Sequence, residues 1–86
     1  MKDYISITPE NCERILRLDC YECAVFILLA LSADEDGFAN AMQLLINHNI
    51  PIRRLRSVIE SLEEKRFIKS ITKNTVKINN WEDYQL

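Results

Sequence analysis

The spacing of apolar and polar residues predicts a short helix near the start of the chain. Thr8, Pro9 and Glu10 provide a hydroxyl N-cap, a proline at the first helical position and an acid in the first turn. The helix is expected to continue to about Leu18. Its inward face is predicted to carry Cys12, Ile15 and Leu16.

A second helix is predicted directly after the first. Asp19 and Glu22 have the spacing of a capping box, in which the N-cap and N3 side chains each satisfy a backbone N–H of the other. Every position from Ala24 to Leu31 is apolar, so this helix has no broad polar face and is expected to be central in the fold. Its length and its leucine and alanine content favour a helix over a buried strand.

The segment "SADEDG" is predicted to be a surface loop that ends at Gly37, the sole glycine. Phe38 and Ala39 can then form a short strand. Asn40 and Gln43 repeat the capping-box spacing and predict a short third helix over "AMQLLINH". One face of that helix is expected to carry Met42, Leu45 and Ile46.

A fourth helix, at about residues 52–65, is predicted after a tight turn. Pro51 cannot continue the third helix, and Asn49 is one of the few non-glycine residues that accept a positive φ. The apolar residues of the fourth helix recur at helical spacing and form one inward stripe. That stripe consists of Leu55, Val58, Ile59 and Leu62.

The end of the chain predicts a β-hairpin at about residues 67–79. The β-branched residues of "FIKSITKNTVKIN" suit two short strands around a polar turn from Thr72 to Thr75. Val76 and Ile78 would then face one side of the hairpin and Lys77 the other. Trp81 and Tyr84 are three residues apart, so both are expected to lie against the core.

These elements predict a single domain over residues 1–86, mainly α with a small β-hairpin. Eighty-six residues, 48% of them hydrophobic and 28% charged, suit one compact core. The order helix, helix, short strand, helix, turn, helix and hairpin is that of a winged helix-turn-helix. In that fold the last helix enters the major groove of DNA and the hairpin is the wing.

The charge distribution adds a candidate function to this fold. The chain has a net charge of -2, but residues 1–48 carry three basic and eight acidic side chains, whereas residues 49–86 carry eight basic and five acidic ones. Three arginines fall in the first turn of the fourth helix, where the helix dipole disfavours cations. Their placement therefore suggests contact with an anion such as nucleic acid.

Helical geometry predicts which side chains face outward from the fourth helix. Opposite the apolar stripe lie Arg53, Ser57, Glu60 and Glu64, with Arg54, Arg56 and Ser61 beside them. Arginine binds guanine edges and phosphates with two N–H groups at once. We therefore expect double-stranded DNA to be contacted by the helix residues Arg53, Arg54, Arg56 and Ser57 and by the wing residues Lys69, Lys73 and Lys77.

Other kinds of chemistry have little support in the sequence. Cys20 and Cys23 form one C-x-x-C without further ligands and are expected to be buried as small apolar residues, and the single His48 is expected in a turn. We predict no enzymatic activity, no metal or cofactor and no small-molecule substrate. The start lacks a signal peptide and the longest apolar run has eight residues, so a cytoplasmic protein without a membrane span is expected.

The segment from Glu22 to Gln85 resembles the N-terminal winged-helix domain of phage and plasmid replication initiators and replisome organisers. The similarity lies in "ECAVFILLAL", "DEDGFA", "IPIRRLRSVIESLEEKRFIKS" and "VKINNWEDYQ". It implies binding to origin DNA or self-association. Arg66 departs from the family, which usually has glycine after this helix, and indicates a strained or altered helix end.

Two functions from different classes remain open at this point. The first is DNA binding in replication initiation or in transcription regulation, in a bacterial, phage or plasmid setting, with a homodimer as one possible state. The second is a winged helix used for protein contact, either for oligomerisation or as a small inhibitor of a nucleic-acid-processing enzyme. The acidic first half and the outward Glu60 and Glu64 favour the second function.

Overall fold

The structure, a computed structural model, describes residues 4–85, and within them it confirms the mainly helical fold with a small sheet. The helices are α1 (Pro9–Ile15), α2 (Cys20–Ser32), α3 (Met42–His48) and α4 (Ile52–Glu64). The strands are β1 (Phe38–Asn40), β2 (Ile68–Ser70) and β3 (Thr75–Ile78), and a 3-10 helix spans Trp81–Tyr84. α4 therefore begins at the predicted residue and ends one residue earlier than predicted, and β2 and β3 lie within the predicted hairpin.

α1 begins as predicted and ends earlier. The Oγ1 atom of Thr8 accepts a hydrogen bond from the N–H of Asn11, and the helix ends at Ile15 instead of near Leu18. Ile15 is buried, but the inward prediction was wrong for Cys12 and Leu16, which are exposed. Within α1 the buried residues are Asn11 and Ile15, at i and i+4, so the helix is rotated relative to the prediction. Leu18, which follows the helix, is also buried.

α2 begins with the predicted capping box and is the central helix. The backbone N–H of Glu22 donates to the Oδ1 atom of Asp19 at 2.7 Å, and the N–H of Asp19 donates to the Oε1 atom of Glu22 at 3.1 Å. α2 packs against α4 and β1. Its core-facing residues are Val25, Phe26, Leu29 and Ala30.

α3 differs from the prediction at both its start and its face. Asn40 accepts a hydrogen bond from the N–H of Met42 at 2.9 Å, and the predicted capping box does not form. Leu44 is the buried residue of this helix. Of the residues predicted to face inward, Leu45 is half-buried against the core, whereas Ile46 is 81% exposed. The turn to α4 agrees with the prediction, because Asn49 has a φ of 52°.

The sheet is antiparallel with the strand order β1-β3-β2, and alternation along each strand separates its two faces. Val76 and Ile78 are buried, as predicted, and Ile68 pairs with Ile78 on this inner face. On the outer face, Lys77 lies between Phe38 of β1 and Lys69 of β2. One hydrophobic core connects the sheet to the helices.

The C-terminal aromatic residues complete the core, as predicted. Trp81 and Tyr84 are each 2% exposed. The ring of Phe26 packs edge-on against those of Phe67 and Tyr84, with centroid distances of 5.1 and 5.5 Å. The indole Nε1 of Trp81 donates to the carbonyl oxygen of Glu35 at 3.0 Å, which attaches the loop after α2 to the end of the chain.

The altered helix end predicted at Arg66 is confirmed by its φ of 65°. An L-residue with a positive φ costs about 1 to 2 kcal/mol. Glycine relieves this strain but has greater conformational entropy in the unfolded chain. Arg66→Gly is therefore expected to raise the free energy of unfolding by about 0.5 to 1 kcal/mol. Urea denaturation would measure the change. Arg66→Ala is the control, because it removes the same side chain and keeps the strain. Equal stabilities of the two variants would contradict the explanation.

Candidate nucleic-acid interface

α4 presents most of the predicted outward side chains. Leu55, Val58 and Leu62 hold it to the core. The opposite face exposes Arg53, Arg56, Ser57, Glu60 and Glu64. The expectation that Ser61 flanks this face was wrong, because its hydroxyl donates to the Oε2 atom of Glu22 in α2.

Arg54 is exposed but directed towards α2. Its guanidinium carbon lies 4.4 Å from the centre of the Tyr21 ring, within the range of a cation–π contact. Such a contact orients the side chain sideways from the outward face of α4. Arg53 and Arg56 are therefore the two arginines that remain for a ligand approaching that face directly.

A cleft between α4 and the turn of the hairpin brings helix and wing residues together. Arg56 of α4 and Lys73 of the turn line the same cleft, whose volume is about 160 Å³. The Oε1 atom of Glu63 accepts a hydrogen bond from the backbone N–H of Ser70 at 2.8 Å, which ties the hairpin to α4. This bond holds the hairpin beside α4, so that Arg56 and Lys73 line one cleft.

Lys69 and Lys77 lie on a different surface from Arg56 and Lys73. They are directly opposite each other on the outer face of the sheet, away from the core and α4. The Nζ atom of Lys77 lies 5.5 Å from the centre of the Phe38 ring. The seven predicted contact residues therefore occupy three places: the outward face and cleft of α4, the side of α2, and the outer face of the sheet.

The cations on the α4 face have no ion-pair partner within residues 4–85. Within residues 4–85 the only salt bridge joins Lys65 to Glu22, at 2.8 Å. Arg53, Arg56 and Lys73 thus have no carboxylate at ion-pair distance in that part of the chain. Anionic ligands would not have to displace an internal partner to reach them.

Tertiary structure also assembles two clusters that the sequence did not predict. Glu22 accepts hydrogen bonds from Ser61 and Lys65, and these bonds lower its pKa from the ordinary 4.5 to about 2, with Lys65 as the largest cause. Arg14 and Arg17, which are basic residues of the acidic first half, line a depression together with Lys65. The capping-box spacing identified Glu22, but no local signal could identify partners some forty residues away.

The cysteines and the histidine do not form a metal or catalytic site within residues 4–85. In residues 4–85 no three or more His, Cys, Asp or Glu side chains are grouped so as to hold a metal ion. Cys20 is exposed, contrary to the prediction, because it lies on the face of α2 away from the core; Cys23 is half-buried. His48 is exposed at the end of α3. No helix in the described part of the chain has the length and apolar character needed to cross a membrane.

Comparison with known proteins gives no relative: no family model, no curated protein and no solved structure matches the chain. Its function is therefore inferred from the arrangement of its own residues.

Proposed function

We propose that the chain is a winged helix-turn-helix domain that binds double-stranded DNA. Two features support this fold: α3, the Asn49 turn and α4 follow one another directly, and the β2–β3 hairpin is tied to α4 by Glu63. α4 would be the recognition helix and the hairpin the wing. A helix with its apolar stripe buried and its other face exposed can enter a major groove about 12 Å wide.

The observation that carries the proposal is the set of unpaired cations on one surface. Arg53 and Arg56 lie in the first turn and a half of α4, and Lys73 shares the cleft with Arg56. Contact with bases or phosphates would involve these three residues and Ser57. Lys69 and Lys77 project from the other side of the sheet and would contribute through long-range attraction, while Arg54 would contribute from beside Tyr21.

The biological setting is proposed on the resemblance alone. Similarity to replication initiators favours a role in which the domain marks an origin of replication. A transcription regulator would use the same contacts at an operator. Both roles require a duplex of defined sequence, and selection from a random duplex pool would identify that sequence. Its position in the genome, at a replication origin or at a promoter, would then distinguish the two roles.

Arg56→Ala and Lys73→Ala are expected to weaken duplex binding. Lys69→Ala is the control: it removes an equal charge from the outer face of the sheet and is expected to change the affinity for the duplex little. A base-reading arginine contributes about 1 to 3 kcal/mol, and loss of one phosphate contact lowers the log–log salt slope by about 1. Fluorescence anisotropy with a random duplex, at low and moderate salt, would measure the salt slope, and the same titration with the selected target duplex would measure the loss from base reading. Absence of a salt-sensitive complex at micromolar protein, or equal losses for all three variants, would refute the proposal.

A second function is favoured by the acids of the same surface. Glu60 and Glu63 line the cleft together with the apolar Ile52 and Ile59. This lining suits a basic, partly apolar segment of another protein, as in an inhibitor of a nucleic-acid-processing enzyme. In the duplex titration, failure of the wild-type chain to bind would favour this function over the first.

A further inference from the structure

The outward face of α2 is apolar along its whole length. Glu22 is the only charged residue of this helix, and it is buried against Ser61 and Lys65. The positions directly opposite the core recur at i, i+4, i+7 and i+11. They are Cys20, Ala24, Ile27 and Leu31.

The rest of the described chain covers this apolar stripe only in part. Cys20 and Ala24 are exposed, and Ile27 and Leu31 are half-buried. A surface helix of a monomer normally carries charged or polar residues on its solvent side, and contiguous exposed apolar surface marks an interaction site. The stripe therefore has the character of an interface.

The surface beside the stripe has the shape that a packed helix needs. A shallow depression lies on each side of Ala24. One is lined by Tyr21, Leu28, His48 and Ile50, and the other by Leu16, Leu18, Cys20 and Cys23. Ridges of side chains on a second helix can fill such depressions when a small residue lies between them.

Opposite charges lie at the two ends of α2. Before the helix, Arg17 lines the basic depression with Arg14 and Lys65. After the helix, the loop exposes three consecutive acids, Asp34, Glu35 and Asp36. Lys65 is already paired with Glu22, so Arg17 is the cation best able to bind an incoming acid. The basic start of this face is thus complementary in charge to its acidic end.

We propose that α2 pairs antiparallel with α2 of a second copy of this chain, about a two-fold axis that passes between Ala24 and Ile27. In this register Ala24 meets Ile27 of the other copy and Cys20 meets Leu31. Each contact joins a small side chain to a large one, as close packing requires. The same register brings Arg17 next to the acidic loop of the other copy, and the symmetry makes this contact twice.

A second copy fits this face better than an unrelated partner does, because the face is complementary to itself in size and in charge. A single helix face is smaller than a standard protein–protein interface, so the pairing is expected to be weak and to depend on the protein concentration. The pairing does not use the outward face of α4. It is therefore independent of DNA binding and can be tested without nucleic acid.

Sedimentation equilibrium of the full chain, from about 1 to 500 μM, tests the surface. The wild-type chain is expected to dimerise, and Ala24→Glu, which places two carboxylates in the interface, to weaken dimerisation at least tenfold. Gln43→Glu adds the same charge on exposed α3 and is the control. Circular dichroism would verify that both variants fold. A monomeric wild type at the highest concentration, or a dimer unaffected by Ala24→Glu, would overturn the proposal.

A charge exchange tests the antiparallel arrangement. Arg17→Glu and the double variant Glu35→Arg/Asp36→Arg, which makes the loop net positive, are each expected to weaken their own dimer at least tenfold, because like charges then meet at both ends. An equimolar mixture of the two variants is expected to regain wild-type affinity, since both contacts of the mixed dimer join opposite charges. A mixture that associates no better than either variant alone would exclude this arrangement, even if the chain dimerises.

Discussion

Gly37→Ala is expected to lower the free energy of unfolding by about 2 to 5 kcal/mol. Gly37 has a φ of 87°, a conformation that costs an L-residue about 1 to 2 kcal/mol. A Cβ atom there would lie 2.6 Å from Cγ and 2.8 Å from Cβ of Trp81. Forcing these buried atoms apart costs about a further 1 to 3 kcal/mol.

The clash cannot be relieved locally, because the loop and the indole hold each other in place. The N–H of Ile78 donates to the carbonyl oxygen of Gly37, and the indole of Trp81 donates to that of Glu35. Movement of Gly37 away from the ring would break the first bond and strain the second. The substitution therefore affects the pairing of β3 as well as the packing of Trp81.

Thermal and urea denaturation, followed by the fluorescence of the single tryptophan, would measure this effect. For a domain of this size the expected loss corresponds to a fall in Tm of roughly 10 to 30 °C. Asn49→Ala is the control: Asn49 also has a positive φ but is exposed, so alanine there adds strain without a clash. A loss for Gly37→Ala no greater than that of the control would show that contact with Trp81 is unimportant.

Glu22→Gln is expected to lower the free energy of unfolding at neutral pH by about 2 kcal/mol. Glu22 accepts hydrogen bonds from Ser61, Lys65 and the N–H of Asp19, and so connects the start of α2 to the end of α4. Glutamine keeps one acceptor but presents N–H groups to the ammonium of Lys65. The cost stays below that of a fully buried ion pair because the Lys65 side chain is 44% exposed and can regain water.

The difference in the free energy of unfolding between the wild type and Glu22→Gln should disappear at acidic pH. Lys65 and Ser61 hold the pKa of Glu22 at about 2 in the folded chain, below the ordinary 4.5. A carboxylate with a lowered folded pKa stabilises the protein above its unfolded pKa, and this stabilisation is lost as the pH falls through the folded pKa. The wild-type chain and Glu22→Gln are therefore expected to differ at pH 7 and to converge between pH 4.5 and pH 2.

Urea denaturation at neutral and acidic pH would measure both the loss and the convergence. Glu64→Gln serves as the control, because Glu64 is exposed on α4 and has no hydrogen bond or ion pair within residues 4–85. Its expected change is within about 0.5 kcal/mol. A difference between wild type and Glu22→Gln that persists unchanged at low pH would show that the charge of Glu22 is not the cause.

Local sequence signals predicted the elements whose geometry depends on neighbouring residues. The capping box of α2, the positive φ of Asn49 and the stripe of α4 each follow from side chains a few residues apart, and each is confirmed. The buried face was predicted wrongly in the two shortest α-helices. α1 and α3 have seven residues each, so a single contact with the core decides which face is buried. Leu16 and Ile46 were misplaced for this reason.

The sequence by itself determined that the fourth helix has an apolar stripe, that its first turn is rich in arginine, and that the second helix lacks a polar face. Only the tertiary structure decided that Arg56 and Lys73 share a cleft, that Lys69 and Lys77 lie elsewhere, and that Glu22 binds Lys65. The physical reason is one of range. Propensity, capping and periodicity act within a few residues. Arg56 and Lys73 are 17 residues apart and Glu22 and Lys65 are 43 apart, so their contacts depend on how the helices and the sheet pack.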